Sequence, residues 1–138
     1  MNESAITKHI TDTFAGVDVV TASGGTFFFY DPEQKFPFAT LSINDEYDQY
    51  SNLNRPGVFR LNVGVSKQTF RSLFGSSEGY DFTALDRLMP HPEYGKMYWV
   101  CVVNPSAATF ETVKPLLAEA YDMAVKKQAK REAPADGL

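Results

Sequence analysis

Cysteine is nearly absent from this chain: Cys101 is the one thiol in 138 residues. An intramolecular disulfide is therefore impossible, which leads us to expect a reducing cytoplasm. Long apolar runs are missing too. Nothing approaches the ~18 residues of a membrane span, and the opening Met-Asn-Glu-Ser-Ala-Ile-Thr-Lys-His-Ile lacks the apolar core of a signal peptide. Basic charge is short as well. The formal charge is −4, and Lys126, Lys127, Lys130 and Arg131 all sit near the C-terminus. A body of that sign does not attract a phosphate backbone by its global field. Repeats and low-complexity tracts are also lacking.

What is present is core material. Hydrophobic residues make up 43% of the chain and aromatics 14%, including eleven Phe and seven Tyr. A chain of this length forms one domain and needs no metal or disulfide to hold it. We read a single domain over residues 1–127, followed by a polar, disordered tail over 128–138.

Periodicity places the elements. Ile6, Ile10 and Phe14 recur every four residues, so 4–15 reads as a helix with Ser4 as its N-cap. Residues 17–22 and 26–30 form a hairpin around Ser23-Gly24-Gly25. Asp31-Pro32-Glu33 is a turn, and 38–43 a third strand. A polar loop of about fourteen residues, 44–57, follows; a loop that long is often a binding element. In the fourth strand, 58–65, Phe59, Leu61 and Val63 point one way and Arg60 and Asn62 the other. Ser66 caps a helix whose buried stripe is Phe70, Leu73 and Phe74. Residues 76–80 read as loop, and Asp81 caps a short helical turn carrying Phe82, Leu85 and Leu88. Residues 98–103 form the fifth strand. The closing helix starts near Thr109, with a distortion at Pro115. The order α-β-β-β-β-α-β-α implies an α+β domain, with an antiparallel five-stranded sheet and helices packed on one face.

Candidate chemistry is sparse. His91 stands between Pro90 and Pro92, rigidly held, and would serve as an acid–base group with a carboxylate such as Glu93. As a bland alternative it is a surface histidine in a tight turn. Asp45, Glu46 and Asp48 would attract a divalent cation, but their spacing fits no calcium loop and no His or Cys accompanies them. A solvated acidic loop is the simpler reading, and no metal or cofactor is expected. Arg55, Arg60 and Arg71 are the cations around the fourth strand. Arg60 and Asn62 share a sheet face and would hold an anion, or Arg60 pairs with the acidic loop. Gly24-Gly25 opens a strand, so it is no phosphate loop. Cys101 lies in a strand with nothing to lower its pKa. The aromatic run 27–30 lacks the positive groove of a base-stacking platform.

The segment Pro92-Glu93-Tyr94-Gly95-Lys96-Met97-Tyr98-Trp99-Val100, followed by Pro115-Leu116-Leu117-Ala118-Glu119-Ala120-Tyr121, resembles the MmcQ/YjbR family of small bacterial proteins. Phe38-Ala39-Thr40-Leu41 is similar to an earlier strand of that family. The resemblance spans most of 17–127 and implies the same α+β fold. That fold resembles a double-wing DNA-binding module, so nucleic-acid binding follows as one implication. Our first expectation is a non-enzymatic domain that binds a small anionic ligand or a protein partner through Arg60, Asn62, His91, Tyr94 and Trp99. Nucleic-acid binding and an enzyme using His91 are the alternatives.

Overall fold

The computed structural model describes residues 1–75 and 79–132. Its elements run α1 (Glu3–Thr13), β1 (Asp18–Ala22), β2 (Gly25–Phe29), β3 (Ala39–Ser42), β4 (Arg60–Gly64), α2 (Lys67–Leu73), β5 (Met89–Pro90), a 3-10 turn (Gly95–Met97), β6 (Trp99–Val103) and α3 (Ala107–Glu132). The domain is α+β, and its sheet is antiparallel in the order β1-β2-β3-β4-β6-β5. The sheet has six strands rather than five. The added one is the two-residue Met89–Pro90, which pairs with Cys101 and Val100 and is too short to leave a period-2 signal.

Local chemistry explains the boundaries. Asn2, not Ser4, caps α1, its side chain accepting from the Ala5 N–H at 2.8 Å. Ser66 caps α2 through the Thr69 N–H at 3.1 Å. Ser106 does the same for α3, accepting from the Thr109 N–H at 3.1 Å. The closing helix therefore starts two residues before Thr109, and Pro115 stands inside it. There proline withholds the N–H that would reach the Glu111 carbonyl.

Three expectations need correction. Residues 81–88 form no helical turn. Asp81 Oδ1 instead accepts from the N–H (3.0 Å) and hydroxyl (2.6 Å) of Thr83, a side-chain turn that competes with helix. Leu73 is exposed, because a helix of only seven residues presents a narrow buried stripe, here Phe70. Residues 128–132 are not tail: α3 continues to Glu132, and Arg131 pairs with Asp31 at 3.2 Å. Residues 76–78 of the expected loop and 133–138 of the expected tail lie outside the described residues.

The two faces of the sheet differ. Phe28, Ala39, Leu41, Leu61, Val63, Val100 and Val102 pack on one face against Ile6 and Ile10 of α1 and Phe110, Val113 and Leu117 of α3. The opposite face carries no helix. Across it runs a ladder of paired positions, Phe27–Thr40–Asn62–Cys101–Met89. Beside that ladder lie the pairs Ser42–Arg60 and Gly64–Trp99. Loop 44–57 folds over part of this second face, burying Ser51 and Leu53. Arg55 ties the loop to the 81–97 segment, donating to the carbonyls of Ser51 (2.9 Å) and Thr83 (3.0 Å).

Candidate functional site

The helix-free face holds a chain of polar side chains centred on Arg60. Its residue is 1% exposed, and its partner Asp48 has a side chain 8% exposed. The pair is bidentate: Nη1 donates to Oδ1 at 3.0 Å and Nη2 to Oδ2 at 2.6 Å. Nη1 also donates to Ser51 Oγ at 2.9 Å, and Nε to Asn62 Oδ1 at 2.7 Å. Asn62 in turn donates through Nδ2 to the hydroxyls of Thr40 (2.9 Å) and Ser42 (3.0 Å). Strand alternation assembles this network, since Thr40, Ser42, Arg60 and Asn62 all fall on one face of β3 and β4.

Burial alone would push the Asp48 carboxyl upward. The hydrogen bonds and charge of Arg60 outweigh it and hold the group below the usual carboxylate range. Asp48 is thus ionised at neutral pH, and the pair is electrically neutral as a unit.

His91 completes the floor. It follows β5 and extends the pairing, its N–H donating to the Trp99 carbonyl at 2.9 Å. The residue is 5% exposed. Nδ1 accepts from the N–H groups of Glu93 (3.1 Å) and Tyr94 (2.9 Å). Nε2 lies 3.2 Å from Arg60 Nη2. Burial, and after it the Arg60 charge, drive the ring pKa down to about 3, so the ring is neutral at physiological pH.

Above this floor is a cavity of about 560 Å³. Its walls are Phe27, Phe36, Tyr47, Tyr94, Met97 and Trp99, and its base is Thr40, Ser42, Asp48, Arg60, Asn62 and His91. Trp99 lies so close over Gly64 that a Cβ there would come within 2.9 Å of the indole. The five residues singled out from sequence, Arg60, Asn62, His91, Tyr94 and Trp99, therefore all line one cavity. The alternative that Arg60 pairs with the acidic loop is the one seen, with Asp48 as the carboxylate, while sequence reading missed Ser42, Thr40 and Phe27 as neighbours of the floor. The alternation of β3 already placed Thr40 and Ser42 together on one face. Nothing local distinguishes Asp48 from Asp45 and Glu46 as the partner of Arg60; loop closure selects it.

The remaining candidates serve the frame. Arg55 is a loop tie, and Arg71 stands exposed on α2. Asp45 Oδ1 accepts from the Leu53 N–H at 2.7 Å, and Glu46 accepts from Ser23 Oγ at 2.5 Å. No metal-ligating cluster occurs among the described residues. Cys101 is buried, and burial pushes its thiol up to about 12. No described helix is long and apolar enough to cross a membrane.

The fold is similar to the crystal structure of a Pseudomonas syringae protein solved as a structural genomics target. That similarity covers 90% of this chain and 99% of the other, with a TM-score of 0.57 and 14% identity. At that identity the likeness speaks to the fold alone. No curated protein matches the sequence. A family model does match, over residues 1–133, so this chain belongs to DUF6194, a family of unknown function.

Proposed function

We propose that this protein is a non-enzymatic binding domain that takes a small, largely apolar molecule into the cavity on the helix-free face. One observation carries the reading. A polar floor whose groups are mostly paired with one another lies beneath six apolar or aromatic walls, in a concavity of about 560 Å³. Few convergent polar groups under aromatic walls is the composition of ligand sites generally. A protein partner would ask for a flatter surface.

Catalysis by His91 is disfavoured by the same geometry. Its lone-pair nitrogen is already taken by two backbone N–H groups, so it offers no free base. Glu93 meets the ring through its N–H, not its carboxylate. The likeness to MmcQ/YjbR proteins is compatible with a binding role, and so is a cytoplasmic location for a protein with one unpaired thiol.

Nile red, neutral and flat, tests the reading. It should bind with a blue-shifted emission while quenching Trp99, the only tryptophan. Tyr94→Ala, at a half-exposed wall position, should weaken it about fivefold or more without lowering the unfolding midpoint. No binding, or binding that leaves Trp99 untouched, rejects the cavity as a ligand site.

A further inference from the structure

The floor of this cavity contains an imbalance of donors that points to the chemistry of its ligand. A neutral imidazole has one N–H and one lone pair. In His91 two backbone N–H groups converge on Nδ1, so the lone pair is there and the proton is on Nε2. Yet Nε2 faces Arg60 Nη2, itself a donor, at 3.2 Å. A second proton on the ring is no remedy, because it would sit on Nδ1 and face the Glu93 and Tyr94 N–H groups. Every other polar contact of the floor is matched donor to acceptor. The His91 Nε2–H is therefore a donor with no acceptor among the described residues, on a residue 5% exposed that lines the cavity. Buried donors of this kind ordinarily find a partner.

Charge narrows the class. Arg60 is neutralised by Asp48, so the floor holds no spare positive charge. A second cavity of about 570 Å³ adjoins the first, sharing Tyr47 and Asp48, and carries Asp45, Glu46 and Glu93. Among the residues lining both, Arg60 is the only cation against four carboxylates. Such a mouth repels anions.

Building on the ligand-site reading above, we propose that the ligand is an uncharged aromatic molecule bearing a carbonyl-type oxygen, which enters the cavity and accepts from His91 Nε2–H beside Arg60 Nη2. Its ring lies among Phe27, Tyr94 and Trp99, and the acidic mouth excludes carboxylates and phosphates. This departs from the anionic ligand that the bare presence of Arg60 suggests, because Asp48 has already claimed that charge.

Three probes that share the naphthalene ring test the class through Trp99 quenching: 2-acetonaphthone, naphthalene and 2-naphthoate. The ketone should bind about tenfold tighter than either of the others, a hydrogen bond to a buried donor in one case and anion repulsion in the other. His91→Asn should cut the ketone's advantage over naphthalene to about threefold or less. An Asn Oδ1 can still cap the Glu93 and Tyr94 N–H groups, while nothing replaces Nε2–H. In the wild-type protein the Nε2–H signal in an imidazole ¹⁵N–¹H correlation should move downfield with the ketone and stay put with the hydrocarbon. That reading holds even where the variant does not fold. Equal affinity for ketone and hydrocarbon, tightest binding of the naphthoate, an advantage that survives His91→Asn, or a motionless Nε2–H signal overturns the assignment. In each of those cases Nile red binding would leave the cavity standing as a ligand site.

Discussion

At the scale of single residues, the buried Asp48–Arg60 pair decides most of the site's behaviour. Two charges taken from water are costly, and such a pair is poor evidence of net stabilisation. Its effect is positional: four of the five guanidinium N–H groups meet acceptors, and His91 is held beside the fifth. Neutrality of that ring has a pH consequence. Unfolded, His91 takes up a proton near its ordinary value of 6.5; folded, it does not until about 3. The unfolded state thus binds more protons in between, and stability falls as pH falls through that window. The slope should approach about 1.4 kcal/mol per pH unit below pH 6. His9 shifts the same way, mainly through burial, and remains in both proteins of a wild-type and His91→Asn comparison. Asp48 titrates below its ordinary 3.8 and adds its own loss only in stronger acid. Urea midpoints at pH 7 and pH 5 should therefore converge in His91→Asn relative to wild type. Equal pH sensitivity in the two proteins would mean that the ring is protonated when folded.

At the scale of elements, β4 and β6 carry the design. Their registered pairs put Val63 on Val100 and Leu61 on Val102 for the helices, and Asn62 on Cys101 and Gly64 on Trp99 for the cavity. One alternation thus serves core and site at once. Gly64 is needed for its size, since the indole covers the space a Cβ would take. Gly64→Ala should lower stability by about 1–3 kcal/mol by overpacking and shift Trp99 emission as the ring is displaced. An unchanged emission maximum would show that the indole does not lie on this strand. The alternation of β4 is plain in the sequence, and so are the stripes of α1 and α3. The two-residue β5 is not, because pairing of so short a segment comes from the neighbour it docks on, and the turn at Asp81 reads as a helix cap because the same side-chain acceptor serves both. Continuation of α3 through 128–132 is hidden for a related reason. Its last turn is polar, and its support comes from Asp31 and from Phe36, over which Lys127 and Arg131 lie.

At the scale of the whole molecule, charge and layering set what the protein can meet. Helices seal one side of the sheet, and loop 44–57 with the 81–97 segment frames the other. The formal charge is −4, and the cavity adjoining the proposed ligand site is acidic. Duplex DNA at low salt should therefore be bound no better than by an unrelated acidic protein, as a fluorescence anisotropy titration would show. Salt-dependent binding stronger than that would restore the nucleic-acid reading that the double-wing resemblance implies. Five residues that line the cavity were legible because they sit on or beside β4 and β6 of a patterned sheet. Their ligand class was not, because it depends on which partner each polar group has already found.

The amino-acid order alone determined the α+β layering, the helix-facing core and the face on which Arg60 and Asn62 stand, because these follow from periods of 3.6 and 2 in neighbouring residues. Only the tertiary structure decided that Asp48 neutralises Arg60 across twelve positions, and that the His91 ring turns Nδ1 to its own turn and Nε2 toward Arg60. Those outcomes depend on contacts between segments distant in the chain, where hydrogen-bond capacity is spent on whichever partner loop closure delivers.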